Sequence, residues 1–161
     1  MKRYTQYPTP RRKYIPGQGV HPDKDPQGSH LPEIPVGEPV FSPQTWHRSQ
    51  PYLYAIDLFN LGYWWEAHEV LEKLWMQNGR TTPVARTLQG IIQMAAALLQ
   101  ESKGNPRGAS RLFVRGRANL EAGSGIDCGM DVGVLIQGMD NYLTGVQPSP
   151  PQIQLNFNTN G

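Results

Sequence analysis

Apolar residues recur with a helical period through most of the chain after residue 51. Tyr52, Ala55, Ile56 and Phe59 follow the i, i+3, i+4, i+7 spacing of one helix face, and residues 60–62 then supply a stop. The same period predicts four more helices, near residues 63–77, 83–103, 106–120 and 132–143. No stretch has the strict alternation of a half-buried strand. The pattern predicts an all-α bundle of about five helices.

An internal similarity at an offset of 42 residues suggests how these helices are arranged. Gly62 corresponds to Gly104 and Ala67 to Ala109, with a helix on either side of each turn. This spacing is similar to that of tetratricopeptide repeats, in which helical hairpins stack to bury one continuous core. We therefore expect two tetratricopeptide-like hairpins capped by the fifth helix. The alternative is that the similarity reflects hairpin turns of a general kind.

The two ends of the chain differ from this helical region. Ten of the 15 prolines lie in residues 1–51, where no helical or alternating period persists. We expect residues 1–50 to form an extended or disordered arm, residues 51–144 the bundle domain and residues 145–161 a disordered tail. The apolar residues that could anchor the last part of the arm are Val36, Val40, Phe41 and Trp46.

Charge and cysteine content exclude several classes of protein. Residues 1–24 carry six basic side chains against one acidic one, so the rest of the chain sums to −3 within a total of +2. The basic character therefore belongs to the arm and is a poor argument for nucleic-acid binding by the bundle. The single cysteine excludes a disulfide framework and suits a reducing compartment. No apolar run is long enough for a membrane span, and the basic N-terminus lacks the apolar core of a signal peptide, so we expect a cytoplasmic protein.

The second helix concentrates the candidate chemistry. On a helical wheel, His68 lies on the apolar stripe, and Glu72 follows it at i+4, within reach of the imidazole. Glu69 lies on a neighbouring stripe, while Glu66 and Lys73 fall opposite the core, where we expect solvent. Burying ionisable groups beside large aromatics costs several kcal/mol unless the groups are paired. The helix therefore carries either a polar network that fixes packing or a site.

Three interpretations of His68 are open. One is a buried histidine held by Glu72 or by a backbone carbonyl. The second is a divalent metal bound by His68, Glu69 and Glu72, or acid–base chemistry by the same groups. The third is a role in binding a polar ligand. The zinc-protease helix motif needs a second histidine that this helix lacks. A histidine of the arm, His21 or His30, could complete a site only if the arm folds back.

Later segments carry weaker signals. On the third helix, Gln89 and Gln93 belong either to a solvated stripe or to the floor of a polar pocket beside the second helix. The fourth helix bears Arg107, Arg111 and Arg115 at i, i+4 and i+8, a basic stripe typical of a solvated face. Cys128 follows a glycine-rich turn with no histidine near it in sequence, so we interpret it as an ordinary small residue.

The chain resembles a known family. The residues that carry the resemblance are the run from Leu58 to Trp75 (LFNLGYWWEAHEVLEKLW), the run from Leu88 to Gln93 (LQGIIQ), and the run from Gly104 to Ala109 (GNPRGA). Together they resemble the bacterial and archaeal family called domain of unknown function 309. The resemblance implies a small all-helical bundle and no particular chemistry. It favours a cluster of seven residues: Asn60, Glu66, His68, Glu69, Trp75, Gln89 and Gln93.

These observations lead to a functional hypothesis and two alternatives. The hypothesis is a non-catalytic binding module, without a cofactor, whose cluster holds a small polar ligand or a protein partner. The first alternative is a metal-dependent, hydrolytic enzyme, with His68 and Glu69 or Glu72 as ligands and another glutamate as base. The second is that the cluster only specifies packing.

Overall fold

Five α-helices form the body of the protein within the part of the chain that the structure describes. The computed structural model describes residues 2–25, 30–35, 40–123 and 126–158. The helices are α1 (Gln50–Asn60), α2 (Trp64–Gln77), α3 (Pro83–Ser102), α4 (Pro106–Glu121) and α5 (Val132–Leu143). The predicted all-α bundle is therefore confirmed, and the predicted helix bounds agree with these to within about two residues.

Side-chain caps mark where four of the helices begin, and Asp131 caps α5 by accepting from Val134 N at 3.1 Å. Ser49, Thr82 and Asn105 each accept a hydrogen bond from a backbone N–H in the first turn of α1, α3 and α4, and each of these turns contains a proline. The cap satisfies an otherwise unpaired N–H, and proline is tolerated there because its missing N–H is not needed. These local signals explain why the bounds could be read from the sequence.

The helices pack in chain order, and the closest approach is between α3 and α4. A Cβ atom added to Gly90 would lie 2.6 Å from Leu120 and 3.2 Å from the carbonyl oxygen of Gly116. Only glycine permits this backbone approach. The two turns of the internal similarity also match, since Gly62 and Gly104 both have positive φ and the two corresponding alanines are buried.

A short antiparallel hairpin interrupts the helical pattern between α4 and α5. Its strands are β1 (Ile126–Asp127) and β2 (Met130–Asp131). The two residues of its turn, Cys128 and Gly129, both have positive φ, at 50° and 78°, as in the type I′ turn of two-residue hairpins. We expected only a glycine-rich break here, because two-residue strands are too short to show alternation.

Helix α1 lies at the centre of the molecule and is buried on every side. Each residue from Tyr52 to Phe59 is buried, although the sequence pattern predicts a single apolar face. The second face is covered by residues 150–157, which we call the C-terminal segment, and by the first part of the predicted arm, residues 2–25, for which alone we keep the name arm. Tyr54 Oη donates to the carbonyl of Pro8 in the arm at 2.7 Å.

The C-terminal segment differs from the disordered tail that we expected. Ile153 and Leu155 are only 2% and 7% exposed. Leu155 forms a bridge with Met130 of β2, and its N–H donates to Tyr4 Oη in the arm at 2.9 Å. Two apolar side chains separated by one residue thus fasten a segment that is too short to show a period of its own.

The last part of the proline-rich region is anchored by two of the four apolar residues that we named. Phe41 and Trp46 are buried in the core, whereas Val40 is exposed. Val36 lies outside the described residues. Phe41 and Trp46 both pack against Tyr52 of α1, with ring centroids 5.0 and 6.2 Å apart, so this region contributes to the same core as the helices.

Candidate functional site

His68 on α2 lies between two glutamates. Its Nδ1 is 3.4 Å from Glu69 Oε1, and its Nε2 is 3.3 Å from Glu72 Oε2. The three residues can each offer one ligand atom such that all three atoms lie within 4.8 Å of one another. The imidazole is 31% exposed, so it is half-buried rather than enclosed in the core. The i+4 contact with Glu72 follows the predicted spacing.

The electrostatics of this triad favour a charged state. The hydrogen bond to Glu69 raises the pKa of His68, against the opposing effect of partial burial. The same bond lowers the pKa of Glu69, and the charges of His68, Lys73 and His21 act in the same direction. These shifts favour a protonated imidazole beside the ionised carboxylate of Glu69. All three side chains of the triad remain accessible to solvent.

Glu66 differs from the wheel prediction. It is fully buried, not directed to solvent, because the arm covers this side of α2. Oε2 accepts a hydrogen bond from the backbone N–H of Tyr14 at 2.9 Å, and Oε1 has no hydrogen-bond partner among the described residues. Burial raises the pKa of Glu66, whereas the bond from Tyr14 and the charge of Lys13 oppose that shift. The wheel prediction that Glu66 faces solvent is therefore wrong.

Asp57 on α1 is a second buried carboxylate, and our sequence reading did not identify it. It is fully buried. Oδ1 accepts from Tyr4 N at 2.8 Å, and Oδ2 accepts from Thr5 N at 2.9 Å, from Thr5 Oγ1 at 2.7 Å and from Arg3 Nη2 at 3.4 Å. The available signal was a lone aspartate inside the apolar run from Tyr52 to Phe59, since such a residue needs donors from elsewhere.

The arm also brings a histidine to α2. Tyr14 and His21 pack edge-on against Trp65, with ring centroids 4.8 and 5.5 Å away, and 5.2 Å from each other. Because Trp65 is one helical turn before Glu69, His21 lies beside the triad. The condition stated for an arm histidine, that the arm folds back, is therefore met for His21. His30 is exposed.

Asn60 does not face the triad and instead binds the C-terminal segment. Its Nδ2 donates to the carbonyl of Ile153 at 2.8 Å, and its Oδ1 accepts from Ile153 N at 2.6 Å. The side-chain amide thus pairs with one backbone residue as a neighbouring strand would. Its contacts in this structure are those of a structural residue.

The remaining members of the favoured cluster lie elsewhere. Gln93 accepts a hydrogen bond from Asn119 of α4 at 2.7 Å, and Gln89 on the same helix is half-buried. The indole of Trp75 has Arg80 above it, 5.4 Å from the ring centroid. The cluster is therefore divided among several surfaces: on α2, Glu66 faces the arm, whereas His68 and Glu69 belong to the triad.

Two weaker candidates have ordinary surroundings in the structure. Arg107, Arg111 and Arg115 are all exposed on α4, as a solvated basic stripe requires. Cys128 is buried in the hairpin turn, and burial raises the pKa of its thiol to about 12. A thiol with so little thiolate at neutral pH is a poor nucleophile, which agrees with its interpretation as an ordinary small residue.

Part of the helical region matches a known protein family. Residues 52–112 match the family model Domain of unknown function (DUF309). The DUF309 match begins in α1 and ends in α4, so it contains Asp57, Glu66 and the triad. The arm and the C-terminal segment, which contact these residues, lie outside it. No curated protein matches the chain. Among the described residues, no helix has the length and apolar character needed to cross a membrane.

Proposed function

We propose that this protein is a non-catalytic binding module that holds an extended peptide segment along α1 and the beginning of α2. The two carboxylates of Asp57 and Glu66 accept the backbone N–H groups of that segment. In this structure the segment is the chain's own arm. We call the surface that carries both carboxylates the arm-binding surface.

The observation that carries this proposal is the set of four hydrogen bonds to Asp57. A fully buried carboxylate without donors is costly, by several kcal/mol, whereas charge-assisted bonds from N–H and O–H groups stabilise it. Here the donors are two successive backbone N–H groups, a hydroxyl and a guanidinium, all from residues 3–5. Without the arm, this carboxylate would lose all four donors and would face solvent within an otherwise apolar helix surface, so the surface favours an occupant that supplies such donors.

Glu66 provides a second anchor about ten residues further along the arm. It accepts from Tyr14 N, and the neighbouring Lys13 ammonium lies 5.3 Å from the centroid of the Tyr63 ring. Backbone donors make such recognition tolerant of sequence, while side chains seated beside them give selectivity. The aromatic contacts of the arm, such as Tyr14 on Trp65, would supply that selectivity.

The extent of the DUF309 match supports a binding function over a purely structural one. Both carboxylates lie in the DUF309 match, whereas their donors lie outside it. A surface of this kind can accept an extended segment from another chain as well as from its own. We expect a competing partner to present an extended segment with an arginine next to an aromatic residue and a threonine, as residues 3–5 do.

A peptide added in trans tests this function. In an Arg3→Gly/Tyr4→Gly/Thr5→Gly variant, the arm's own contacts with Asp57 are weakened. We expect a fluorescent peptide of residues 2–16 to bind this variant, as measured by anisotropy, and to bind wild-type protein more weakly because the native arm competes. Adding Asp57→Asn to the variant should reduce peptide binding by at least about tenfold, since a lost charge-assisted bond is worth about 1.5–3 kcal/mol.

A matched change elsewhere provides the control. Glu121→Gln removes an exposed carboxylate that is paired with Arg117 on α4, away from the contacts of the arm, and should leave peptide binding unchanged. Equal peptide affinity with and without Asp57→Asn would contradict the proposal, as would the absence of peptide binding to the arm variant when circular dichroism shows it to be folded.

The structure gives less support to the hydrolytic alternative. A metal-dependent hydrolase needs a general base that faces the cation and its bound water. Outside the triad, Glu66 is the one other glutamate on α2, and it is buried against Tyr14 of the arm. We therefore do not propose a hydrolytic step.

Two further parts of the proposal concern the location of the protein and the relation of its fold to repeats. We propose a cytoplasmic location, because the single cysteine is buried as a free thiol, which suits a reducing compartment. We also propose that the α1–α2 and α3–α4 hairpins are tetratricopeptide-like. Their matching turn glycines and buried alanines, and the packing of the helices in chain order, support this relation.

A further inference from the structure

We infer that a divalent transition-metal cation, with zinc as its best match, binds between the arm and α2 and joins the two. Its ligands would be His68, Glu69 and Glu72 of α2 and His21 of the arm. This inference rests on the proposed function insofar as the arm is the docked segment. It adds a metal site and a way to regulate docking.

The spacing within the triad suits a small tetrahedral cation. Zinc bonds to histidine nitrogen and carboxylate oxygen are about 2.0–2.1 Å long, which places two ligand atoms about 3.3 Å apart. The 3.4 Å contact joins Glu69 to His68 Nδ1 and the 3.3 Å contact joins Glu72 to His68 Nε2, so one cation cannot use both contacts as they stand. One ligand atom from each residue nevertheless falls within 4.8 Å of the others, and binding would require the His68 ring or a carboxylate to rotate so that all three face one ion.

His21 lies on the same side of α2 as this cluster. Its ring nitrogens are not among the ligand atoms that lie within 4.8 Å of one another, so the arm would have to shift towards the triad for His21 to coordinate an ion. Trp65, His68 and Glu69 occupy positions i, i+3 and i+4 of α2, so they share one face of the helix. The His21 ring lies edge-on to Trp65 at 5.5 Å, and its charge is one of those that stabilise the Glu69 carboxylate. The arm therefore places an imidazole beside the triad, where a fourth ligand is needed.

The two ring nitrogens of His21 have different surroundings. Nδ1 accepts from Asp23 N at 3.1 Å and lies 3.7 Å from Asp23 Oδ2. Coordination through Nε2 would leave the ring proton on Nδ1, which would then donate to the Asp23 carboxylate instead of accepting from the amide. A histidine ligand whose other nitrogen donates to a carboxylate is the usual arrangement at zinc sites.

Charge and exposure also fit a cation of this kind. Two neutral imidazoles and two carboxylates would carry a total charge of −2, which balances a divalent ion. Imidazole with carboxylate is a ligand set that suits zinc and its neighbours better than calcium or magnesium, which prefer oxygen alone. The ligand side chains are between 31% and 43% exposed, so an ion can reach them from solvent.

A cation at this position would change how the arm is held. The Asp57 and Glu66 contacts involve residues 3–14, whereas His21 lies beyond them in the chain. An ion bridging His21 to α2 would fasten the second half of the arm and oppose its replacement by a competing peptide. Release of the arm would then depend on the concentration of the metal.

Titration of the full-length, untagged protein with cobalt(II), which has visible absorption at tetrahedral sites, tests the ligand set. We expect one ion per chain, displaced by zinc. His68→Ala and Glu72→Gln should each abolish the tetrahedral signal, and His21→Ala should weaken binding at least about tenfold, a scale that even outer-shell partners reach. His30→Ala is the matched control in the same proline-rich region and should bind as wild type does.

Clear outcomes would overturn the inference. Absence of a tetrahedral signal, or a dissociation constant above about 1 mM, would remove the site. Equal affinity in wild type and His21→Ala would remove the arm ligand. If Glu72→Gln binds normally and circular dichroism shows it to be folded, the ligand set is wrong.

Limited trypsin digestion of the arm separates this inference from the proposed function. Asp57→Asn should increase cleavage within residues 11–24 without metal, which tests the arm-binding surface alone. Zinc should slow that cleavage in Asp57→Asn but not in Asp57→Asn/His21→Ala. Protection by zinc in both variants, or in neither, would contradict the bridging ion whatever the result for Asp57.

Discussion

The Asp57 carboxylate in α1 accepts a hydrogen bond from the backbone N–H of Tyr4, 2.8 Å away and 53 residues earlier in the chain. Together with the bonds from Thr5, it makes the arm part of the environment of α1 rather than an appendage. An acid inside an apolar helix is stable here because a distant segment supplies its donors. The same relationship explains why α1 is buried on both faces.

Loss of the Asp57 charge should destabilise the whole protein. We expect Asp57→Asn to lower the free energy of unfolding by about 1–3 kcal/mol, because the neutral amide accepts weaker hydrogen bonds and places an N–H₂ group against donors. Urea denaturation followed by circular dichroism measures this change. Glu121→Gln, in an exposed pair, should cost no more than about 0.5 kcal/mol. Equal effects from both substitutions would contradict the assigned role of Asp57.

The contact between α3 and α4 should not tolerate a methyl group. We expect Gly90→Ala to destabilise the protein by about 1–3 kcal/mol, because the new Cβ would lie 2.6 Å from Leu120 and the helices would have to separate. Thermal melting measures the change. Gly133 in α5 is exposed, and an added Cβ there would meet its nearest neighbour at 3.5 Å. Gly133→Ala should therefore be neutral or stabilising; destabilisation there equal to that at Gly90 would show that crowding is not the cause.

Cys128 should react slowly and should make stability depend on alkaline pH. Burial raises the pKa of its thiol to about 12, so the folded protein resists ionisation that the unfolded chain undergoes from about pH 9. The stabilising contribution is therefore complete below pH 9 and is lost as the pH rises towards 12. Between pH 7 and pH 10, wild type should lose about 1.5 kcal/mol more than Cys128→Ser in urea denaturation.

Alkylation provides an independent check on the same thiol. At pH 8 iodoacetamide should modify Cys128 much more slowly in native protein than in protein unfolded by urea, because the thiolate is the reactive form. Modification of the native protein at the unfolded rate would show that the thiol is neither buried nor shifted.

Asn60 should hold the C-terminal segment in place. Asn60→Ala removes both hydrogen bonds to Ile153, and we expect a loss of about 1–2 kcal/mol in the free energy of unfolding. Hydrogen exchange at Ile153 should accelerate more than exchange in α3. Asn119 of α4 provides a matched control, because its side-chain amide donates to Gln93 of α3 and not to the C-terminal segment. Asn119→Ala should leave exchange at Ile153 unchanged. Faster exchange throughout the Asn60→Ala protein, without a larger change at Ile153, would contradict a local role.

The helices could be predicted from the sequence because their signals are local. Ser49, Thr82 and Asn105 mark helix starts, and each helix presents enough apolar residues to show a period. The sequence runs that resemble DUF309 likewise lie within residues 52–112, which match the family model. The i+4 spacing of His68 and Glu72 correctly predicted their contact. These features depend on residues a few positions apart.

The contacts of the two chain ends could not be predicted in this way. Asp57 and Glu66 bind backbone N–H groups of the arm, and backbone donors leave no trace in the identity of the residues that carry them. A helical wheel assumes one buried face, so it placed Glu66 in solvent when the arm buries it. Ile153 and Leu155 fasten the C-terminal segment with only two side chains, which is too short a pattern to recognise.

Native-state hydrogen exchange at the amides of Tyr4 and Thr5 tests the central claim most directly. If the Asp57 carboxylate holds the arm, both amides should exchange far more slowly than those of an unstructured peptide in wild-type protein, and should lose most of that protection in Asp57→Asn, while the core of α3 stays protected. Exchange of Tyr4 and Thr5 at unstructured rates in the wild type would show that the arm is not docked, and the proposed binding surface would then lack its occupant.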